Sequence, residues 1–357
     1  MEWRPCGAAT LVGSMPHRDR EYVISFILDH LKEVPLWPQL PAYPHEQMMN
    51  QYLEGLPGYS YQDMGKNMLR TDAPDFDDEL YRFYSDYFDV IEGRIDIRES
   101  RFGMGIESGR TFHRFIEMLV SSTLTPYQAI KGQVVGPFTL LSSLKSPDGK
   151  LLLYDDRMVD AVPKHLAMKA LWQAQLLKPF AQKIIIFFDE PGLAGFGSSA
   201  FIGISSEYIQ RLLNELCELL SPHGILIGVH VCANTDWSLL LKSKINIVNC
   251  DAYNYGDRFC IYDEDIISFV NRGGIVAWGI VPTDDPNKTT QETENTLYYR
   301  LINLLEEHFT SQIAEKILLQ SMITPSCGCG TLSEPVAERV VQLTVGCSNL
   351  AKSMICS

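Results

Sequence analysis

The segments IIIFFDEP at residues 184–191 and ILIGVHVC at residues 225–232 decide the fold class. Each is a short apolar run rich in β-branched and aromatic residues, and each ends in polar or metal-binding side chains. An apolar run of this length is typical of a strand that is buried on both faces in a parallel sheet. A longer helical pattern follows each run, so the repeating unit is a strand and then a helix.

The same unit recurs along the whole chain of 357 residues. We predict strands at 9–14, 34–40, 132–137, 184–190, 225–232, 245–251, 274–281 and 321–326. The clearest helical patterns lie at 19–32, 158–177, 206–220 and 334–354. Eight such units predict an α/β protein with a single (β/α)8 TIM-barrel domain over residues 1–357. The long interval after the second strand predicts an insertion at 54–128, which would serve as a lid or as a partner surface.

The charge and the cysteine content exclude several classes of function. The chain has 44 Asp and Glu against 30 Lys and Arg, which gives a formal charge of −14. Such a surface repels nucleic acid and anionic membranes, so neither is expected as a partner. The first residues contain no apolar signal region, and no apolar run approaches the roughly 20 residues of a membrane span. We therefore expect a cytoplasmic protein whose nine cysteines are free for metal binding or chemistry.

Polar and metal-binding residues follow most of the predicted strands. The active site of a TIM barrel lies at the carboxyl ends of its strands. The residues expected there are Ser14, Gln39, Asp189, Glu190, His230, Cys232, Asp251, Trp278 and Cys327. Asp189 and Glu190 are candidate catalytic carboxylates that would hold a substrate ammonium group, with a salt bridge across the barrel mouth as the alternative. Ser14, Gln39 and Trp278 are further candidate substrate contacts, although Ser14 is equally suited to a turn or a helix cap.

The motif HVC at residues 230–232 is the clearest metal signal. Residues i and i+2 of a strand point to the same side, so His230 and Cys232 can face one ion. The turn TPSCGCG at residues 324–330 supplies a third ligand, for which we favour Cys327 over Cys329. An imidazole with soft thiolates favours zinc. Asp251 would be a fourth ligand or would hydrogen-bond to one of the others.

These motifs resemble those of a known family of methyltransferases. The motifs are VGSMP at 12–16, DEP at 189–191, HVC at 230–232 and TPSCG at 324–328, in family order. The strings LWPQLP at 36–41, NTDW at 234–237 and AWGIVPT at 277–283 accompany them. The chain thus resembles the catalytic half of cobalamin-independent methionine synthase and the short methyltransferases of the uroporphyrinogen decarboxylase superfamily.

The resemblance implies a TIM barrel that holds zinc at its mouth and methylates a small thiol such as homocysteine. It implies His230, Cys232 and Cys327 as ligands and places Asp251 where the synthase has a glutamate ligand. It also implies that Asp189 meets the amino group of the thiol substrate and Ser14 its carboxylate. The second barrel that helps the synthase bind folate has no counterpart in this sequence. We therefore expect a methyl-corrinoid donor, delivered by a corrinoid protein.

Two other functions are compatible with the same sequence. The first is a metal-free lyase like uroporphyrinogen decarboxylase, which would use carboxylates at the barrel mouth; the pair His230 and Cys232 argues against it. The second is a non-catalytic, corrinoid-binding accessory protein that uses the aromatic insertion as its partner surface. The sequence identifies neither the thiol nor the oligomeric state. A homodimer is one of the assemblies that are compatible with it.

Overall fold

The computed structural model describes residues 3–121 and 125–355, and it contains a parallel sheet of seven strands. The strands, numbered in chain order, are β1 Ala8–Ala9, β2 Tyr127–Val135, β3 Ala181–Asp189, β4 Ile225–Val231, β5 Ile247–Cys250, β6 Ile275–Val281 and β7 Ser321–Pro325. Their order in the sheet is β1-β7-β6-β5-β4-β3-β2, and every neighbouring pair is parallel. The expected α/β architecture of strand-then-helix units is confirmed in this TIM-barrel-like form.

The predicted strand at 34–40 is not a regular strand, yet its backbone lies between β1 and β2. The amides of Ala129 and Lys131 donate to Glu33 O and Pro35 O, at 3.2 and 2.9 Å. On the other side, Gln39 N donates to Gly13 O at 3.0 Å, and the amide of the residue after Ser14 donates to Gln39 O at 2.8 Å. Pro35 and Pro38 carry no amide hydrogen, and this limits the regular ladder that the segment can form.

Helices surround the sheet, and their bounds agree closely with the helical patterns in the sequence. They are α1 Arg20–His30, α2 Phe76–Ile91, α3 Arg110–Ser121, α4 Pro137–Ser143, α5 Asp156–Leu177, α6 Ser206–Leu220, α7 Ser238–Leu241, α8 Ala252–Cys260, α9 Asp263–Asn271, α10 Pro286–Gln291, α11 Glu294–His308, α12 Ser311–Leu319 and α13 Glu334–Ile355. Asp19 begins α1 by accepting a hydrogen bond from Tyr22 N, as an N-cap residue does. Within residues 3–121 and 125–355, no helix is long and apolar enough to span a membrane.

The apolar core has two layers that the sheet separates. The inner layer fills the curled sheet and contains Ala8, Val34, Ala129, Ile185, Phe187, Ile247, Ile275, Ala277 and Met322. The outer layer lies between the strands and the helices and is much larger. Alternate residues of each strand therefore face inward, and this alternation decides which side chains reach the mouth of the sheet.

The predicted insertion at 54–128 contains α2, α3 and several short turns of helix, and residues 122–124 of it lie outside the described residues. It packs against α5 and the sheet through buried polar contacts. The hydroxyl of Tyr52, just before this segment, donates to Gln133 O at 2.7 Å, and Tyr52 O lies 2.8 Å from His165 Nε2. Lys169 Nζ on α5 donates to Gly103 O at 2.8 Å. The first two bonds hold the residues just before the segment against β2 and α5, and the third holds Gly103, within the segment, against α5.

Candidate metal centre and adjoining cavity

Two strand ends bring an imidazole and two thiols together at the mouth of the sheet. His230 lies on β4, Cys232 follows that strand directly, and Cys327 follows β7 after one further residue. One ligand atom from each residue lies within 4.8 Å of the others. The convergence predicted from the motifs at 230–232 and 324–330 is therefore present, and it contains Cys327 rather than Cys329, which is buried separately in the outer core.

Asn249 holds the imidazole of His230 in one orientation. Its Oδ1 atom lies 2.7 Å from His230 Nδ1, and its Nδ2 atom donates to Ala277 O and to Thr324 Oγ1, each at 2.8 Å. A carbonyl oxygen only accepts, so the bond to Ala277 fixes which end of the Asn249 amide faces the histidine. The oxygen that remains must accept from Nδ1–H. The lone pair of the neutral ring is therefore on Nε2, which points to the cysteines.

The surroundings of His230 Nε2 are the observation that favours a metal ion. This buried atom faces Cys232 and Cys327, and no nitrogen or oxygen of the described residues is bonded to it. An imidazole nitrogen with two sulfurs is the donor set that suits zinc, and catalytic zinc commonly has three protein ligands and one open position. Tetrahedral zinc bonds place ligand atoms roughly 3.5–3.8 Å apart. Small side-chain movements within the observed span satisfy that requirement, so the residues fit the ion.

The electrostatics of the cluster favour one thiolate. Contact with the Cys327 thiol and with His230 lowers the pKa of Cys232 to about 4, although burial opposes that shift. The same contact with Cys232, together with burial, raises the pKa of Cys327. Burial lowers the pKa of His230, but its interactions with Cys232 and Asp189 outweigh burial and raise it. These shifts favour a Cys232 thiolate that accepts from the Cys327 thiol and lies beside a His230 ring with an increased affinity for a proton. A metal ion bound here would take the place of these protons.

A cavity of about 550 Å³ opens beside the cluster. Its walls are largely apolar and are formed by Val12, Pro41, Ala42, Met48 and Pro191. The polar lining comes from Ser14, Gln39, Asp189 and Thr331, together with the three residues of the cluster. A mostly apolar pocket with a few converging polar groups is typical of a small-molecule site.

Asp189 is the acidic group of this cavity. Its side chain is 8% exposed, and its Oδ1 atom is buried without a hydrogen-bond partner among the described residues. Burial raises the pKa of Asp189 to about 6, although the charges of His230 and Lys131 oppose the rise. Backbone pairing places Asp189 beside His230 on the next strand. Asp189 therefore lies at the mouth of the sheet, as expected, and its role as a substrate contact stays a prediction.

Ser14 and Gln39 line the same cavity, as the sequence predicts, and both are tied to neighbouring segments. Ser14 Oγ accepts from Gly330 N at 3.2 Å, and Ser14 O accepts from Cys329 N at 2.8 Å. Gln39 Nε2 donates to Gln51 Oε1 at 2.6 Å. These bonds join the first strand segment to the turn that carries Cys327, so the rim of the cavity is a connected structure.

Glu190 and Trp278 are not where the sequence analysis expected them. The carboxylate of Glu190 accepts from Phe138 N at 2.9 Å, Thr139 N at 2.7 Å and Thr139 Oγ1 at 2.6 Å, so it caps the beginning of α4 and does not line the cavity. Trp278 lies in the outer core, where its Nε1–H donates to Ser321 Oγ and its ring packs on Phe259 of α8. Each residue is adjacent in sequence to an inward-facing position, and strand alternation turns it outward.

Asp251 also has a different environment from the one expected of a zinc ligand. It caps α8: its Oδ1 accepts from Asn254 N and its Oδ2 accepts from Asn254 Nδ2, each at 2.9 Å. The group formed by His230, Cys232 and Cys327 does not include it. The hydrogen-bonding role next to the ligands belongs instead to Asn249, two residues earlier on the same strand.

Asn249 and Lys131 are the site residues that the sequence analysis missed. Asn249 pairs in register with His230, and an inward-facing amide beside a predicted histidine ligand could have indicated its role. Lys131 is fully buried on β2, where its ammonium donates to Val12 O at 2.5 Å and to Gln133 Oε1 at 3.3 Å. Burial lowers the pKa of Lys131 to about 7, and the charge of Asp189 opposes that shift.

No protein-family model and no curated protein matches the chain. The catalytic domain of the GH26 endo-β-1,4-mannanase of Bacillus sp. JAMB-750 is 12% identical, with a TM-score of 0.37 and 69% of each chain covered. A double mutant of the Cellulomonas fimi endo-β-1,4-mannanase is 12% identical, with a TM-score of 0.35, 71% of this chain and 61% of that chain covered. The Flavobacterium johnsoniae chitobiase is 10% identical, with a TM-score of 0.37, and the match covers 98% of this chain and 52% of that chain. Likeness at this level carries no argument about function.

Proposed function

We propose that this protein is a zinc-dependent thiol S-methyltransferase built on a (β/α)8 barrel, with the segment at 34–40 as the eighth strand and 54–128 as an insertion. The observation that carries the proposal is the convergence of His230 Nε2, Cys232 and Cys327 beside an apolar cavity. A structural core rarely turns a buried imidazole nitrogen and two thiols toward one another without a nitrogen or oxygen partner. Such a donor set is expected where an ion binds.

Each residue of the centre has a defined task in this proposal. His230, Cys232 and Cys327 hold the ion, and Asn249 keeps the Nδ1–H of His230 turned away from it. A bound zinc ion supplies Lewis acidity, which lowers the pKa of a thiol substrate and keeps it deprotonated at neutral pH. Since an ordinary thiol has a pKa near 8.5, this increases the fraction that is nucleophilic.

The residues of the cavity orient the acceptor and limit the water around it. Asp189 and Ser14 contact the polar tail of the thiol, and the walls formed by Val12, Met48 and Pro191 pack on its methylene groups. In the reaction the thiol releases its proton to solvent. Its sulfur then forms a bond to the methyl carbon as the bond between methyl and donor breaks, and that electron pair leaves with the donor. Alignment in a fixed cavity contributes to the rate by lowering the entropic cost of bringing the reactants together.

The methyl donor in this proposal is a methyl-corrinoid carried by a partner protein. The support comes from the sequence resemblance to one-barrel methyltransferases, together with a cavity that opens to the surface beside the metal ligands. The aromatic insertion at 54–128 lies next to β2 and is the surface we assign to that partner.

Zinc analysis of the purified protein tests the proposal. We expect about one zinc per chain by mass spectrometry and its loss in a Cys232→Ser/Cys327→Ser double variant. The matched control is Cys329→Ser, which removes a thiol from the same turn but not from the cluster and should keep the metal. Full retention of zinc by the double variant would remove the proposed centre.

Methyl transfer from methylcobalamin to a panel of thiols tests the reaction itself. Metal-loaded protein should form the S-methyl product, and the double variant should not. A protein that lacks zinc and transfers no methyl group, yet binds cobalamin, would support an accessory role instead. Decarboxylation by the metal-free protein would support the lyase alternative.

A further inference from the structure

The described lining of the proposed substrate cavity contains an acidic residue but no Lys or Arg. Apart from the metal-binding cluster, Asp189 is the one ionisable residue among the described residues that line it, and no Lys or Arg is among them. Asp189 is more than nine-tenths buried, and its Oδ1 atom has no hydrogen-bond partner in the described part of the chain. A buried carboxylate oxygen in this state needs a cationic or hydrogen-bond-donating ligand.

Lys131, the buried lysine whose charge acts on Asp189, is not available to a bound ligand. Its ammonium lies under the cavity floor, where it donates to Val12 O and Gln133 Oε1 and stands 4.6 Å from the centre of the Phe187 ring. It does not line the cavity. An anionic group on a substrate would therefore meet Asp189 directly while Lys131 stays bonded to the backbone.

Several hydrogen-bond donors of the rim are occupied by bonds within the fold. The Gly328 amide interacts with the Cys327 sulfur, and the amides of Cys329 and Gly330 donate to Ser14 O and Ser14 Oγ. The side-chain amide of Gln39 donates to Gln51 Oε1 at 2.6 Å. A carboxylate bound at this rim would have to displace these bonds or rely on neutral hydroxyl groups such as those of Ser14 and Thr331. In both cases it would lack a Lys or Arg counter-ion, and a carboxylate without a counter-ion is costly to desolvate.

We propose that the acceptor is a small aminothiol without a carboxylate or sulfonate group, and thus neither an amino acid nor an anionic thiol. Its ammonium group donates to Asp189, its sulfur faces His230, Cys232 and Cys327, and its methylene chain packs on the apolar wall. This inference rests on the proposed thiol-binding function and narrows the substrate class. It departs from the homocysteine that the sequence resemblance implies.

Thiol binding to the cobalt-substituted protein tests the inference without turnover. Binding of a thiolate to Co²⁺ produces a charge-transfer absorption in the near ultraviolet, and its titration gives a dissociation constant. The probes are 2-aminoethanethiol, 1-propanethiol, 3-mercaptopropionate and homocysteine. We expect 2-aminoethanethiol to bind roughly 10- to 100-fold more tightly than 3-mercaptopropionate, with homocysteine and 1-propanethiol between them, as one charge-assisted hydrogen bond warrants.

Two variants assign the preference to Asp189. Asp189→Asn should reduce the discrimination between 2-aminoethanethiol and 3-mercaptopropionate to within about threefold. The matched control Glu190→Gln removes the adjacent carboxylate, which caps α4 outside the cavity, and should leave the discrimination unchanged.

The wild-type titrations alone can overturn the inference, even if a variant fails to fold. Binding of homocysteine, 3-mercaptopropionate or 1-propanethiol as tightly as 2-aminoethanethiol would refute the aminothiol assignment and leave the proposed methyltransferase intact. A cobalt protein whose spectrum responds to none of the four thiols would instead refute the proposed function, and the substrate class with it.

Discussion

Replacement of Asn249 by Leu is the most informative perturbation of the metal centre. Leu has nearly the same shape, so the change removes hydrogen bonds with little change in packing. The acceptor for His230 Nδ1 is lost, and so are the donors to Ala277 O and Thr324 Oγ1. We expect two separable consequences: weaker binding of the metal and a less stable fold.

The magnitude of each consequence follows from these three bonds. A residue that orients a histidine ligand typically contributes about 10- to 100-fold in metal affinity, which is about 1.4–2.7 kcal/mol. In the metal-free protein, three buried bonds of about 1 kcal/mol each give a loss of about 3 kcal/mol in the free energy of unfolding. The imidazole of the variant can rotate or exchange its tautomer, so Nε2 is no longer held toward Cys232 and Cys327.

The assays measure the two quantities separately. Competition with a chromophoric chelator gives the zinc affinity, and urea unfolding of the metal-free protein gives the stability. The matched control is Asn246→Ala, which removes a side-chain amide just before the same strand, β5, where Asn246 Oδ1 accepts from Ile227 N at 2.9 Å. It should lose about 1 kcal/mol of stability and no zinc affinity. Unchanged zinc affinity in Asn249→Leu would refute the orientation argument and leave Asn249 as a structural residue only.

Three further predictions separate the site from its surroundings. Glu190→Ala should lower the free energy of unfolding by about 2–4 kcal/mol, because it leaves the amides at the beginning of α4 unpaired, and metal analysis should show unchanged zinc. Trp278→Phe should lower the melting temperature by breaking the bond to Ser321 Oγ, while thiol titration of the cobalt protein should give unchanged affinities. Burial lowers the pKa of Lys169 to about 7, well below its value of about 10.4 in an unfolded chain, so this group stabilises the fold increasingly as pH rises from 7 to 9. Urea unfolding of Lys169→Met should therefore lack about 2 kcal/mol of the gain that the wild type shows over that interval, and identical pH profiles would contradict it.

The positions of the strands could be predicted from the sequence more reliably than the direction of their side chains. Runs such as 184–190 and 225–232 end within a residue of the observed strands, because β-branched and aromatic residues between polar ends specify a buried strand. The segment at 34–40 was harder to interpret, since its prolines interrupt a ladder that its remaining amides still form. A pattern of residue types predicts where the chain extends, but the hydrogen-bond regularity depends on neighbouring strands.

The alternation of side chains along β6 explains why Trp278 does not reach the site, and its use would have prevented that wrong prediction. Ile275 and Ala277 face the interior of the sheet, so Trp278 between inward positions must face α8. The same reasoning separates Asp189, which faces the cavity, from Glu190, which follows it and caps a helix. Position at a strand end was a sound criterion for selecting candidates. To choose between adjacent residues, one also needs to know which of them lies an even number of positions from an inward-facing core residue.

The register between the strands brings together side chains that belong to different sequence motifs. Asp189, His230 and Asn249 are paired across three neighbouring strands, so the proposed anchor for a cation, the proposed metal ligand and the group that orients this ligand lie side by side. The bonds from Asn249 to Ala277 O and Thr324 Oγ1 extend this arrangement to β6 and β7, the strand that leads to Cys327. Folding itself therefore fixes the direction in which His230 Nε2 points before any ion binds. These groups are already ordered when the protein folds, so the binding of an ion does not have to order them. A larger share of the interaction between the ligands and the metal therefore remains as binding affinity. This is why a change at Asn249 should weaken metal binding although Asn249 does not contact the ion.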